Sequence, residues 1–203
     1  MKKQQRDNFL ISFFKEKEKY KILAEYLVRL ISDDPSAPKK SIHMILHRIK
    51  DESRLIEKID QENISSEFDM EPITHKNFHE RIGDIIGIRI ICLRLSDIVK
   101  VEKYIEFLVE EKILKLIRKP DHKRSFVLPI DFGNTAPQDI NIQYSGYSSI
   151  HYQVKLGENS DASQAFKSVQ IELQLRTILE EAWGEIDHKY RYTYSRTGET
   201  LPE

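Results

Sequence analysis

Two carboxylates stand out by position. Asp84 opens the apolar run DIIGIRIICL (84–93), and Glu172 lies inside VQIELQL (169–175). Alternation along the second run puts Val169, Ile171, Leu173 and Leu175 on one strand face, and Gln170, Glu172 and Gln174 on the other. A glutamate on the polar face of a strand is ordinarily just solvated. If both strands are central, however, their acids converge on one edge of a sheet. Two hard carboxylate oxygens with open coordination positions are what Mg²⁺ takes when it also carries substrate phosphates. A basic group, Arg48, Lys50, Arg54 and Lys58, falls at a strand-to-helix junction. Lys50, Arg54 and Lys58 are spaced to share one helix face. That row reads either as a solvated face or as a phosphate cradle near a helix N-terminus. Arg48 precedes the helix, and its guanidinium plane can stack on a base. The third feature is Tyr144-Ser145-Gly146-Tyr147-Ser148-Ser149-Ile150-His151. It reads either as a hairpin approach with core tyrosines or as an exposed aromatic that stacks on a nucleobase, worth about 1–3 kcal/mol. His151 alone reads as a hydrogen-bonded structural histidine.

Other chemistries are excluded. The remaining histidines have no metal-ligand spacing. There is no Gly-rich phosphate loop, and no Ser-His-Asp order stands out. Cys92 is the only cysteine, so the chain holds no internal disulfide and no all-cysteine metal site. Its apolar strand marks it as inert core. Lys plus Arg number 32 against 33 Asp plus Glu, a net charge of -1, so no global positive field points to nucleic acid. With 39% hydrophobic and 32% charged residues, the chain has one core under a charged surface. That excludes a disordered tail, a collagen-like fibre and a disulfide scaffold. The start is charged, and the apolar patch from Phe9 to Phe14 falls far short of the roughly 18 residues of a span. A cytoplasmic protein with no membrane partner is the expectation.

These residues need elements to hold them. The 203 residues suffice for one domain with an appendage: an N-terminal helix within 1–35, then a unit over 36–203. Residues 7–31 have helical apolar spacing, and DDPSAP (33–38) ends them. Residues 42–46 suit a strand. Residues 51–59 suit a helix with Asp51 as N-cap and Leu55, Ile56 and Ile59 inward. Residues 84–93 read as a strand buried on both faces. Ser96 is expected to cap a helix over 97–111, and a strand follows over 113–117. Residues 119–145 read as a long polar loop. Strands are expected over 149–156 and 168–175, then a helix over 177–191 with Ile178, Leu179, Ala182, Trp183 and Ile186 inward. The pattern is α+β: one mixed β-sheet of about five strands packed with helices.

Taken in order, these segments resemble the synthetase domain of the RelA/SpoT family, the alarmone (p)ppGpp synthetases. The matching stretches are His47-Arg48-Ile49-Lys50 with Lys58; Asp84 to Cys92; Ser145 to His151; and Val169 to Thr177, followed by Trp183 and Asp187-His188-Lys189-Tyr190. The resemblance implies a nucleotidyltransferase-like fold. It also implies GTP pyrophosphokinase activity, with pyrophosphate passing from ATP to the 3′-hydroxyl of GDP or GTP. By matching positions, Arg48 stacks on adenine, and Lys50 and Lys58, with Arg54 beside them, hold the ATP phosphates. Asp84 coordinates Mg²⁺, and Glu172 shares that metal or acts as base toward the acceptor hydroxyl. Tyr147 stacks on the acceptor base, with His151 and Gln174 lining the same pocket.

The chain departs from the family pattern in three places, one of them Ser145-Gly146-Tyr147-Ser148 where the family usually has Asn-Gly-Tyr-Arg. Arg54 stands where the family usually has serine. The family's Lys-Asp-Tyr segment and Pro-Lys pair are replaced by Asp131-Phe132-Gly133-Asn134-Thr135-Ala136-Pro137-Gln138. The cations expected to grip the acceptor's phosphates are therefore missing from their usual places. Toxin members of the family modify the 3′ end of tRNA, an acceptor without a 5′ polyphosphate. Lys39, Lys40, Lys119, Lys123 and Arg124 offer a backbone-binding surface for it. A non-catalytic nucleotide-binding regulatory domain is the third alternative. No hydrolase domain precedes the match within these residues, so the chain resembles either a small, synthesis-only member or a fragment of a longer protein, and family relatives are often homo-oligomers.

Overall fold

The β-branched run at Ile86–Cys92 builds the centre of the sheet. The computed structural model describes residues 3–65, 71–125, 140–143, 146–162 and 164–197. The helices are α1 (Lys3–Asp33), α2 (Glu52–Ser65), α3 (Phe78–Arg81), α4 (Leu95–Glu110) and α5 (Ile178–Thr197). The strands are β1 (Met44–Ile49), β2 (Ile86–Cys92), β3 (Leu114–Leu116), β4 (Asp121–Arg124), β5 (Ile140–Ile142), β6 (Ser149–Leu156) and β7 (Ile171–Thr177). Every residue of β2 is buried except Arg89, which is partly exposed. A strand this apolar needs cover on both faces, and it receives it.

The sheet order is β1-β2-β7-β6-β4-β5, with β3 pairing the far end of β6. β2 and β7 run parallel, and β1–β2 and β6–β7 are antiparallel. One face carries the core. Ile86, Ile88, Ile90, Leu173 and Leu175 meet Phe9, Phe13, Tyr20, Leu23 and Leu27 of α1, and Ile98, Val101, Ile105 and Leu108 of α4. The α+β expectation is met, with seven strands among the described residues rather than about five. The two extra strands, β4 and β5, lie inside the stretch read as a loop. They are four and three residues long, and DHKR and INI carry too little apolar alternation to announce a strand. The rest of that stretch, 126–139 with Tyr144 and Ser145, lies outside the described residues.

Local signals behave unevenly. Asp51 caps α2 as expected, accepting the Ser53 amide at 2.9 Å. Ser96 does not cap α4; the cap position is Arg94, and Ser96 sits inside the first turn. There Asp97 is buried and fixes the entry by binding Ser41 and Arg94. Thr177 and Glu180 form a reciprocal box at the start of α5: the Thr177 amide donates to Glu180 Oε2, and the Glu180 amide donates to Thr177 Oγ1.

The inward face expected for α5 is overturned. Ile178, Leu179, Ala182, Trp183 and Ile186 are exposed, Leu179 at 78%. The reason is charge. α5 lies over the polar face of the sheet, where Arg89 and Arg176 need partners, and Glu181 and Glu185 turn to meet them, while Glu180 in the first turn of the helix meets Arg124 from the other face of β4. A guanidinium keeps its charge even when enclosed, so burying one without a carboxylate partner is costly. Ile88→Ala should therefore cost about 2–5 kcal/mol in urea unfolding, whereas Leu179→Ser should stay within about 0.5 kcal/mol.

Candidate active site

Strand register assembles the polar face row by row. The first row runs Arg48, Gly87, Glu172, Gln153 across β1, β2, β7 and β6. The next runs Leu46, Arg89, Gln174, His151, Asp121, extending onto β4. A cavity of about 540 Å³ opens over these rows. Arg48, Lys58, Asp84, His151, Glu172 and Gln174 all line it. Six of the nine site residues expected from sequence thus share one cavity. Lys50, Arg54 and Tyr147 are not on its wall, though Lys50 and Tyr147 bind residues that are.

Gly87 is the gap in the first row. A Cβ there would lie 3.3 Å from Arg48 Nε, so the missing side chain is the space Arg48 crosses. Gly146 has a different reason. Its φ is +83°, and a Cβ would come within 2.7 Å of Trp183 Nε1, so only glycine fits the turn into Tyr147.

Asp84 sits just before β2, beside the end of β1, where the Lys50 amide donates to the Ile85 carbonyl. Its carboxylate accepts from Lys50 Nζ at 2.5 Å and from Lys58 Nζ at 2.9 Å. Burial pushes its pKa up, but the hydrogen bonds and charges of the two lysines outweigh burial and hold it below the ordinary carboxylate value. This arrangement also relieves the like-charge row read from the sequence: Lys50 and Lys58 meet around a common acid.

Glu172 anchors a closed ring of hydrogen bonds. Its Oε1 faces His151 Nδ1 at 3.1 Å, and its Oε2 accepts from Gln174 Nε2 at 2.6 Å. Tyr147 Oη lies 2.9 Å from His151 Nε2. Arg176 closes the ring, donating to Tyr147 Oη at 2.8 Å and to Gln174 Oε1 at 2.6 Å. A neutral His151 with its proton on Nδ1 toward Glu172 and its Nε2 accepting from Tyr147 is compatible with every link. Both arms then run from a guanidinium to a carboxylate. Burial pushes the Glu172 pKa up and Asp84 adds to that, yet His151 and Gln174 hold it net below the usual value. The Arg176 guanidinium also packs 5.2 Å from the centre of the Tyr147 ring.

Sequence reasoning missed the arginine-glutamate lattice beneath α5. Arg89 Nη1 lies 2.7 Å from Glu181 and 2.6 Å from Glu185. Arg176 lies 2.9 Å from Glu181, and Arg124 3.3 Å from Glu180. An arginine inside an otherwise apolar strand such as β2 was the available signal, because such a charge demands a partner. Arg124 is buried in this lattice and is withdrawn from the basic surface suggested for tRNA. Cys92 is buried as expected, with burial pushing its thiol up to about 12.

Residues 47–197 match the family described as the region found in RelA/SpoT proteins. GTP pyrophosphokinase YwaC of Bacillus subtilis (strain 168) is 29% identical over 120 residues, covering 59% of this chain and 47% of that protein. The match thus spans about half the length of that curated relative. Small alarmone synthetase 1 from Bacillus subtilis, bound to its product pppGpp, superposes with a TM-score of 0.54 at 22% identity, covering 98% of this chain and 84% of the other. The same synthetase bound to AMPCPP gives 0.52 at 20% identity, covering 98% and 82%. The chain belongs to the RelA/SpoT family, and its fold is that of the small alarmone synthetases.

Both acids have folded-state pKa values below their ordinary ones. The stability they contribute is therefore complete above the ordinary carboxylate range, near pH 4, and is lost as pH falls through the depressed values. Replacing both Lys50 and Lys58 by methionine removes what opposes burial at Asp84. Carboxyl NMR titration should then show the Asp84 pKa rising above its wild-type value, with Glu172 still titrating below the ordinary range.

Proposed function

We propose that the chain is an ATP-dependent pyrophosphokinase that makes (p)ppGpp. The acceptor's 3′-hydroxyl oxygen bonds to the β-phosphorus of ATP, the bond from the α,β-bridging oxygen to that phosphorus breaks, and AMP leaves. The observation that carries this reading is the pair of acids. Asp84 and Glu172, both held ionised, line one cavity with Arg48 and Lys58 on the same wall. The family membership and the ligands named for synthetase 1 support the nucleotide assignment.

The donor set suits Mg²⁺. Among the described residues no group of three or more His, Cys, Asp or Glu side chains is gathered to cage a metal. Mg²⁺ commonly takes only one or two carboxylates and completes its shell with phosphates and water. Asp84 and Glu172 would hold it. When bound, it neutralises charge building on the transferring phosphates.

The chain's own groups supply the rest. Arg48, laid across Gly87, offers a flat cation to the adenine. Lys50 and Lys58 reach Asp84 here, and an arriving triphosphate draws the same ammonium groups. Glu172 takes the acceptor's hydroxyl proton, and the ring through His151, Tyr147, Arg176 and Gln174 keeps its carboxylate aimed. Tyr147, set behind the cavity wall, is tied by its hydroxyl to His151 and Arg176 and so steadies His151.

Incubation with Mg²⁺, ATP and GDP or GTP should yield 3′-pyrophosphorylated guanosine and AMP. Glu172→Gln should lower kcat by about 10²–10⁴-fold with ATP binding retained, the range for a lost general base. Label from γ-labelled ATP appearing on tRNA, with none on guanine nucleotides, would replace the acceptor. An unchanged rate in Glu172→Gln would remove the base.

A further inference from the structure

The cavity has a second cationic edge that the motif residues do not explain. Arg118 lies in the turn joining β3 and β4, and Lys123 lies on β4 itself; both line the same cavity as Glu172. Register fixes which way β4 looks. Asp121 sits opposite His151, and Lys123 opposite Ser149, on neighbouring β6. Lys123 therefore shares the sheet face of His151 and Gln174, on the edge remote from Arg48 and Lys58. Its two neighbours in β4 face the other way: His122 approaches Glu102, and Arg124 binds Glu180.

The two edges differ in how their charge is used. Lys50 and Lys58 both meet Asp84. Arg81, a further cation on the wall, donates to the Glu71 carbonyl. Arg118 is exposed, and among the described residues no carboxylate lies within ion-pairing distance of it. Among the described residues, Lys123 has only Asp121 as an ion-pair partner, at 3.7 Å, too far for a hydrogen bond. A solvated pair of cations needs no cavity, yet these two border one whose inner wall is the proton-accepting ring.

We infer that Arg118 and Lys123 grip the 5′-phosphate chain of the acceptor nucleotide. The inference rests on the pyrophosphokinase reading and deepens it. The motif cations for this task are absent from their usual places in the sequence, and the β3–β4 edge supplies substitutes. A donor held at Arg48 and Lys58 places its transferable phosphates near Asp84 and Glu172. An acceptor sugar must meet them there from the side of His151 and Gln174, and its 5′ substituent extends toward the β4 edge. Two cations lining one side of the cavity suit a di- or triphosphate, whereas a polynucleotide 3′ end offers one phosphate per residue.

The test compares guanosine, GMP, GDP and GTP, which share one nucleoside and differ in phosphate number. Affinities are measured by calorimetry with a non-hydrolysable ATP analogue present, and KM values by product formation. The wild-type protein should bind GDP and GTP far more tightly than guanosine. Arg118→Ala and Lys123→Ala should each weaken GDP about tenfold or more, as loss of one charge-assisted contact does. The double variant should bring GDP close to guanosine and leave guanosine and ATP affinities unchanged. Arg118→Lys should recover part of the loss. A wild-type protein indifferent to phosphate number, or a double variant keeping the wild-type ratio, overturns the grip. Failure to transfer to any acceptor, with phosphate-dependent GDP binding intact, would count against the pyrophosphokinase reading and leave the grip supported.

Discussion

A carboxylate kept ionised inside a β-sheet is the constraint around which this molecule is arranged. Glu172 has given up most of its water, and burial by itself drives its pKa up. What prevents this is a ring in which each donor meets an acceptor, with a fixed positive charge at the far end. A partly satisfied ring would be worse than none, because each orphaned polar atom in so enclosed a place is costly. His151, Tyr147, Gln174 and Arg176 therefore stand or fall as a unit. The same demand fixes strand order, since the ring closes only if β6 and β7 are neighbours in this register.

A second acid solves the same problem differently. Asp84 is neutralised by two ammonium groups on flexible stems rather than by a rigid hydrogen-bond network. Ammonium groups are mobile point charges that transfer readily to a phosphate. One acid is thus fixed in direction and the other exchangeable in partner. That division suits a reaction in which positioning and charge neutralisation matter more than covalent chemistry.

Much of this was legible in the residues. The apolar run from Asp84 and the alternation around Glu172 located both acids and both central strands, because period and β-branching are local properties. The face shared by Gln170, Glu172 and Gln174 was legible for the same reason. What resisted reading was set by long-range charge. Apolar spacing in α5 suggested an inward stripe of Leu179, Trp183 and Ile186, but enclosed guanidinium groups on three strands claimed the helix's acidic face instead. Short polar strands such as β4 pair because β6 offers an edge, not because their own sequence insists. The convergence of Lys50 and Lys58 on Asp84 joins three elements, and no spacing in one of them announces it.

Arg176 ties two parts of the molecule together with one planar group. Its Nη1 holds Glu181 of α5, and its Nη2 holds Tyr147 and Gln174 in the sheet. A guanidinium is stiff, so a tilt at one end is a tilt at the other. This helix is thereby geared to the aim of the Glu172 carboxylate: its anchorage decides how steadily that group points, although none of the helix's own carboxylates lines the cavity.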